Sequence, residues 1–378
     1  MISSPIVFIT LLGFFAALAL FIAKKEYTAL KYIPPIVLLY IIVMFLSSIQ
    51  VFEKNEAITE LYSTLKSNML PAMLFLMLLP NKVSSLAKLG PKMIIAFFTA
   101  SLSLFAAFIL SFLLFSLNTA DIEIFAPLAG SWMGGTANML AVSSAIDASE
   151  NAIGITMLID SVDYALWVMI LLMLVPFATL FNTYTKAKNS IEDVDLESQC
   201  ALHFSYRSYG WLIFSALCVS LLSQVCGIFL SEYLFGSATT WTVILATFAG
   251  ISFSFSPLAR IRGVQGSANV MLYLLIALIA SRANISFDLA LVSYLFIGIC
   301  ILFLHALLML LFAKLFKLDL FSVSVASLAN IGGIASAPIL SAAYSQSLVG
   351  VGVLMATLGY VIGTFGALAL AAVLKVLV

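Results

Sequence analysis

The sequence is organised around the stretch Ala129-Gly130-Ser131-Trp132-Met133-Gly134-Gly135-Thr136-Ala137-Asn138-Met139, which lies between two apolar arms. Glycine carries the largest backbone entropy cost of any residue in a helix, so the Gly-Gly pair predicts a break in an otherwise helical segment. Ser131, Thr136 and Asn138 place two hydroxyls and an amide beside that break. Within a membrane, irregular backbone is tolerated only where protein or a water-filled cavity surrounds it.

A second copy of this design follows in the other half of the chain, as Ser327-Leu328-Ala329-Asn330-Ile331-Gly332-Gly333-Ile334-Ala335-Ser336-Ala337-Pro338. Its Gly-Gly pair lies 198 residues after the first one. Two interrupted apolar segments at corresponding places in two halves are the best sequence indication of a transporter binding site.

Composition sets the class of protein. Of 378 residues, 63% are hydrophobic and 9% are charged, which excludes an ordinary soluble domain and is typical of a polytopic helical membrane protein. The formal net charge is zero, so no nucleic-acid footprint is visible. The four cysteines form no CxxC pair, which argues against a metal site or a disulfide framework.

Ten apolar segments are candidates to cross a bilayer of ~30 Å, and the third of them is short for that distance. They are predicted at residues 4–23, 33–52, 68–80, 93–117, 152–181, 209–230, 239–255, 267–280, 287–314 and 348–376, with the broken segments at 122–149 and 319–343. Matching spans recur at the 198-residue offset, so we interpret the chain as an internal duplication. Its parts are a first repeat at 1–181, a linker at 182–208 and a second repeat at 209–378.

The distribution of basic residues indicates how the broken segments cross. If each enters and leaves on one side as a re-entrant hairpin, thirteen of the 17 Lys and Arg residues fall on the cytoplasmic side, as the positive-inside rule expects. If both segments cross fully, the bias nearly vanishes. The favoured fold is therefore an all-α membrane protein of two inverted five-helix repeats with a cytoplasmic linker. A less favoured alternative lets the broken helix cross and leaves the short span outside the membrane.

Asp160 and Asp163 are the strongest polar signal within a predicted span. Their spacing of three places both carboxylates on one helix face. Charges at membrane depth cost at least a few kcal/mol and normally face a cavity or a partner. With Thr156, Ser161 and backbone carbonyls they offer hard oxygen ligands, so we interpret them as a site for Na⁺ or a proton. The alternative is that one aspartate only caps a helix or lies in solvent.

The broken segments form the predicted solute site, because helix N-termini attract anions and released carbonyls attract Na⁺. Its predicted members are Ser131, Gly134, Gly135, Thr136, Asn138, Asn330, Gly332, Gly333 and Ser336. The alternative is that the glycines only permit close helix packing.

Several other polar residues are predicted to have structural roles. Residues 53–66 are predicted to form a polar loop, and Asp121, Asp147 and Glu150 to be solvated at segment ends. Asp288 and Asp319 have the pattern of helix N-caps. His305, alone in an apolar span, is expected to be a hydrogen-bonded packing residue, with a proton relay as the alternative.

The motifs Gly130-Ser131-Trp132-Met133-Gly134-Gly135-Thr136-Ala137-Asn138-Met139 and Asn330-Ile331-Gly332-Gly333 resemble the paired motifs of the domain-of-unknown-function 819 family of membrane proteins, over nearly the whole chain. That family looks related to sodium–solute symporters and cation–proton antiporters. The resemblance implies two inverted five-helix repeats, a core that moves against a scaffold in an elevator mechanism, and a homodimer. Leu358 and Val361 occupy the second-half positions of the paired aspartates, so any cation site is one-sided.

The favoured function is secondary active transport of a small polar or anionic organic solute, coupled to Na⁺ or H⁺, in the inner cell membrane. A Na⁺/H⁺-type antiporter is the alternative, and a channel, a sensor or an intramembrane hydrolase would be of another class. No Walker, HExxH or Gly-x-Ser-x-Gly motif occurs, so neither ATP use nor an enzymatic activity is predicted. We expect no cofactor beyond the coupling ion; the predicted partners are the solute, the ion, the bilayer and a second copy of the chain.

Overall fold

The computed structural model describes residues 2–25, 35–53, 55–80, 89–187, 205–233, 237–283, 289–345 and 348–378. These residues are almost entirely helical and contain no β-strand, apart from an isolated bridge between Ile2 and Phe52. Most of the predicted linker at 182–208, including Cys200, lies outside the described residues, as does Asp288.

The helices follow the predicted segments closely. Their bounds are α1 Pro5–Lys25, α2 Pro35–Ser48, α3 Glu56–Leu78, α4 Gly90–Leu114, α5 Thr119–Gly134, α6 Thr136–Ala145, α7 Glu150–Leu174, α8 Ala178–Thr185, α9 Tyr206–Tyr233, α10 Ala238–Phe253, α11 Val264–Ala280, α12 Leu289–Phe316, α13 Leu320–Ile331, α14 Gly333–Tyr344 and α15 Val349–Leu377. Every predicted span coincides with at least part of a helix, and each broken segment consists of two helices.

Six helical segments of the described chain are long and apolar enough to cross a membrane: Pro5–Ala23, Gly90–Leu114, Glu150–Thr185, Tyr206–Tyr233, Ala290–Phe316 and Val349–Leu377. Shorter apolar helices occur at Pro35–Ser48, Ala238–Phe253, Val264–Ala280 and Leu320–Ile331. This pattern indicates a multi-pass membrane protein.

The prediction of a polar loop at residues 53–66 is wrong. Helix α3 already begins at Glu56, where the Asn55 side chain caps it by accepting from the backbone N–H of Ile58 at 2.9 Å. Lys66 forms an ion pair with Glu150 at 3.1 Å, so a partner stabilises the polar half of this helix. Hydropathy alone could not show that the charged residues continue a helix.

The chain divides into two compact units, and each contains segments from both halves of the sequence. Unit 1 comprises Met1–Asn81, Ser143–Ser161 and Cys200–Asp288, and unit 2 comprises Lys82–Val142, Val162–Gln199 and Leu289–Val378. Helices α6 and α7 each contribute residues to both units.

Unit 1 is built mainly from α1, α2, α3, α9, α10 and α11. Hydroxyl groups connect its helices: Ser47 Oγ donates to the carbonyl of Ser281 at 2.7 Å, and Ser220 Oγ donates to the carbonyl of Asn68 at 2.8 Å. Helix α10 approaches α3 closely, because a Cβ on Gly250 would lie 2.7 Å from Leu78 Cβ.

Unit 2 is built mainly from α4, α5, α8 and α12 to α15. Its core includes the fully buried rings of Phe97, Phe108, Phe125 and Trp132. Asp319 caps α13 as predicted, since Oδ1 accepts from the N–H of Ser322 at 2.8 Å. Both broken segments lie largely in this unit, which therefore contains the predicted solute site.

Candidate functional site

The two helix breaks come together at Tyr360, which lies on α15 within unit 2. A Cβ built on Gly135 would lie 3.6 Å from the Tyr360 hydroxyl oxygen, and one built on Gly333 would lie 3.8 Å from Cε2 of the same ring. The breaks are 198 residues apart in sequence, so one tyrosine side chain identifies the place where they meet.

The first break is a single residue long. Helix α5 ends at Gly134, Gly135 adopts φ 89° and ψ 174°, and α6 begins at Thr136. Helix α6 then packs back against α5, because a Cβ on Gly130 would lie 3.0 Å from the carbonyl oxygen of Asn138. In a continuous helix these residues would be about 12 Å apart along the axis.

The second break is equally short. Helix α13 ends at Ile331, Gly332 adopts φ −111° and ψ −6°, and α14 begins at Gly333 with φ 58°. Helices α13 and α14 also pack against each other.

Each glycine pair divides its roles in the same way: the first glycine provides space and the second provides an unusual backbone conformation. A Cβ on Gly134 would lie 2.1 Å from Asn138 Nδ2, and one on Gly332 would lie 2.0 Å from Ser336 Oγ. In both repeats the obstructing polar side chain follows four residues later. The second glycines, Gly135 and Gly333, have positive φ angles that favour glycine.

Helix α15 packs its own glycines against the first break. A Cβ on Gly363 would lie 2.6 Å from Gly134 Cα, and one on Gly359 would lie 3.2 Å from the carbonyl oxygens of both Met133 and Ala329. The close helix packing that the alternative expected of these glycines is therefore present at Gly134. The same contact brings carbonyls from the last turns of α5 and α13 to one point on α15.

The two predicted asparagines are buried and hydrogen-bonded. Asn138 Nδ2 donates to the carbonyl of Gly134 at 2.6 Å, and Thr364 Oγ1 donates to Asn138 Oδ1. Asn330 Nδ2 donates to the carbonyl of Ala326 at 2.9 Å, and its Oδ1 accepts from Ser101 Oγ at 2.8 Å. These amides hold the broken segments against α15 and α4.

His305 lies in a second polar network of unit 2. Its Nδ1 is 2.6 Å from Ser103 Oγ, its Nε2 is 2.8 Å from Ser327 Oγ, and Trp167 Nε1 donates to the same Ser327 oxygen at 2.9 Å. The ring is fully buried, so this histidine is the hydrogen-bonded packing residue that the sequence indicated. It holds α13 against α4, α7 and α12.

The aspartate pair lies on α7 as predicted. Asp163 is fully buried and belongs to unit 2, where Tyr164, the next residue, contacts the second break: Tyr164 Cε2 lies 2.5 Å from the Cβ position of Gly332. Asp160 is partly buried and lies in the part of α7 that belongs to unit 1.

The two hydroxyls of the predicted cation site lie on the same helix. Thr156 Oγ1 donates to the carbonyl of Ala152 at 2.9 Å, and Ser161 Oγ donates to the carbonyl of Met157 at 2.7 Å. A hydroxyl oxygen that donates its proton in this way can also act as an acceptor. The described residues contain no group of three or more His, Cys, Asp or Glu side chains that would hold a metal ion.

Two carboxylates expected in solvent are instead bound within the fold, and these expectations were wrong. Asp121 is buried in the capping box of α5, where Oδ1 also accepts from the Tyr294 hydroxyl at 2.8 Å. Glu150 is partly buried, and its Oε1 accepts from the Tyr62 hydroxyl at 2.5 Å and from Lys66 Nζ at 3.1 Å. The partners Tyr294, Tyr62 and Lys66 are more than 80 residues away in sequence, so no local pattern indicates these contacts.

The residues that retain partial exposure at the breaks are only part of the predicted solute site, together with two tyrosines. Gly135, Thr136, Gly332, Tyr164 and Tyr360 are partly exposed, whereas Ser131, Gly134, Asn138, Asn330 and Ser336 are buried. The sequence analysis missed both tyrosines. Tyr164 follows Asp163 directly, and Tyr360 lies between Leu358 and Val361, the second-half positions of the paired aspartates, so these neighbours were the available signal.

The chain matches the family model described as protein of unknown function (DUF819) over residues 10–377. A comparison with curated proteins gives no significant match. Because the family match covers nearly the whole chain, including both glycine breaks and α7, the protein belongs to the DUF819 family.

Proposed function

We propose that this protein is a cation-coupled secondary transporter for a small polar or anionic organic solute, working by alternating access, and that the solute binds where the two helix breaks meet. The observation that supports this proposal is the convergence of both breaks on Tyr360, with Gly135, Thr136 and Gly332 still partly exposed. Discontinuous helices that meet in a membrane protein are typical of transporter binding sites.

The anionic part of the solute would bind at the start of α6. The first N–H groups of a helix lack intrahelical acceptors and lie at the positive end of the helix dipole. In α6 these include the N–H groups of Thr136 and Ala137, beside the partly exposed Gly135. Tyr360 offers a hydroxyl and a ring face at the same place.

The coupling cation would bind near the ends of α5 and α13. The carbonyl oxygens of Met133 and Ala329 belong to last helical turns, where intrahelical donors are missing, and both lie close to Gly359. Asp163 adds a carboxylate one residue before Tyr164, which contacts the second break. Carbonyl and carboxylate oxygens are the ligands that a hard cation prefers.

In the membrane, we infer two inverted five-helix repeats whose broken segments are re-entrant hairpins. The packing of α6 against α5 and of α14 against α13 supports this topology, and so does the bias of basic residues. The linker at 182–208 would then be cytoplasmic in an inner-membrane homodimer of elevator type.

We expect Cys200 to resist a membrane-impermeant thiol reagent in intact cells, and labelling there would refute the topology.

The solute can be identified with purified protein. We propose a thermal-shift screen of carboxylates and amino acids with and without Na⁺, followed by uptake into proteoliposomes with an imposed Na⁺ or H⁺ gradient. Uptake that requires a gradient supports the proposal, whereas gradient-independent flux would indicate a channel. Na⁺/H⁺ exchange without any organic solute would instead indicate an antiporter.

Coupling is tested at α7 by comparing Asp163→Asn with Asp160→Asn. Each change removes a charge and keeps the side-chain shape, so Na⁺ affinity measured by calorimetry should fall by at least about tenfold if that carboxylate is a ligand. Na⁺ and solute should each tighten the binding of the other by one common factor. Unchanged Na⁺ affinity in both folded variants would refute the role of α7 in coupling.

A further inference from the structure

Unit 1 contains an apolar groove that the transport proposal does not use. It lies between α9 and α10, has a volume of about 430 Å³, and its exposed lining is almost entirely apolar. Its walls include Trp211, Phe214, Cys218, Leu222 and Cys226 from α9 and Phe253 from α10. Trp211, Phe214 and Phe253 are each about half exposed, so the groove is open along its side.

The groove follows one stripe of α9. Trp211, Cys218, Leu222 and Cys226 recur at intervals of seven and four, which places them on one face of the helix. From Trp211 to Cys226 the helix rises about 22 Å at 1.5 Å per residue. A single leaflet of the hydrocarbon core is about 15 Å thick, so the groove is long enough for a full acyl chain.

Exposed arginines lie at one end of this stripe. Arg207 is four residues before Trp211 and therefore lies one turn further along the same face. Arg260 and Arg262 are brought to the same end of α9, because Gly263 lies against the Tyr209 ring and the Tyr209 hydroxyl is hydrogen-bonded to Ser267 Oγ at 2.7 Å. None of the three arginines forms an ion pair with another described residue.

We propose that this groove binds one acyl chain of an anionic phospholipid, whose phosphate headgroup is held by Arg207, Arg260 and Arg262. The apolar lining matches the chain, and the three cations match the headgroup. A second copy of the protein fits less well. A two-fold axis along the membrane normal would bring both sets of three arginines to the same membrane face, where they would repel each other.

Two cysteines in the groove allow its occupancy by lipid to be measured directly. In protein with Cys200→Ser and Cys300→Ser, a lipid-soluble maleimide would react with Cys218 and Cys226 in the groove. Phosphatidylglycerol should protect these thiols at a lower mole fraction than phosphatidylcholine with the same acyl chains. Each arginine near an anionic headgroup accounts for about a fivefold difference in affinity, so Arg207→Gln should reduce the preference by about that factor. Lys375→Gln, which changes a cation outside unit 1, is the matched control.

A groove-filling variant gives an independent measurement. In Ala249→Phe, the new phenylalanine ring should fill the groove from the α10 side, so phosphatidylglycerol should no longer stabilise the protein against heat. Leu221→Phe is the control, because Leu221 is exposed on α9 but does not line the groove. Equal protection by the two lipids would overturn the proposal. The proposal would also be overturned if the thiols were protected without added lipid by a second copy of the protein. Crosslinks between the Cys218 residues of two chains would detect that copy. If Ala249→Phe does not fold, the thiol measurements alone decide.

Discussion

The two helix breaks of unit 2 have the same motif but are held by different kinds of neighbour. At the first break, a Cβ on Gly134 would meet backbone as well as the Asn138 side chain, because the carbonyl oxygen of Gly359 lies 2.6 Å from the Cβ position. At the second break, the space beside Gly332 is closed by the side chains of Ser336 and Tyr164. Backbone in a packed helix cannot move alone, whereas side chains can change rotamer.

This difference indicates which break adjusts more easily. The first is fixed against α15, because Gly363 packs on Gly134 and Thr364 donates to Asn138. The second is bounded by a tyrosine ring and by a serine hydroxyl that makes no hydrogen bond within the described chain. We therefore expect the second break to rearrange when solute binds and the first to act as its fixed counterpart.

The largest effect is expected from adding one methyl group to the first glycine of each pair. Gly134→Ala should lower the free energy of unfolding by about 3 kcal/mol or more, since α15 backbone must shift, and Gly332→Ala by about 1 kcal/mol. Reversible denaturant unfolding in detergent would measure both. Gly13→Ala is the control, because no atom lies within 4 Å of its Cβ position. Equal losses at the two breaks would contradict the distinction between backbone and side-chain obstacles.

The second glycines should show a smaller contrast that depends on conformation. Gly135 has φ 89° and ψ 174°, a region used almost only by glycine, so Gly135→Ala should cost about 2–3 kcal/mol. Gly333 has φ 58°, which asparagine tolerates, so Gly333→Asn should cost no more than about 1 kcal/mol. The same unfolding measurements apply. A Gly333→Asn variant less stable than Gly135→Ala would show that space, not backbone angle, limits the second break.

The smallest contrast concerns the polar side chains that cover the glycines. Thr364→Val removes the donor to Asn138 Oδ1 and leaves a buried acceptor without its bond, which should cost about 1–3 kcal/mol. Ser336→Ala removes a buried hydroxyl that makes no hydrogen bond within the described chain, so stability should change by less than about 0.5 kcal/mol. A strong loss in Ser336→Ala would reveal a partner for that hydroxyl and weaken the view of the second break as the adjustable one.

Local sequence signals predicted the helices and both breaks, because apolar segments, Gly-Gly pairs and the N-cap Asp319 act through near neighbours. Contacts between distant segments could not be predicted in this way. The convergence on Tyr360 depends on how α15 packs, and the burial of Asp121 depends on Tyr294 in another helix. The helical start of α3 was missed because hydropathy emphasises apolar residues, whereas Asn55 caps the polar first turn and Glu150 pairs with Lys66 further along the helix.

The burial of Trp132 gives the first break a built-in optical reporter. Its indole lies two residues before Gly134, is fully buried, and has its ring centroid 5.6 Å from that of Phe108 on α4. If Trp167, Trp211 and Trp241 are replaced by phenylalanine, the remaining emission reports only the surroundings of α5. A fixed first break predicts a blue-shifted spectrum that stays the same when solute and Na⁺ are added, while a red shift would show water reaching the end of α5.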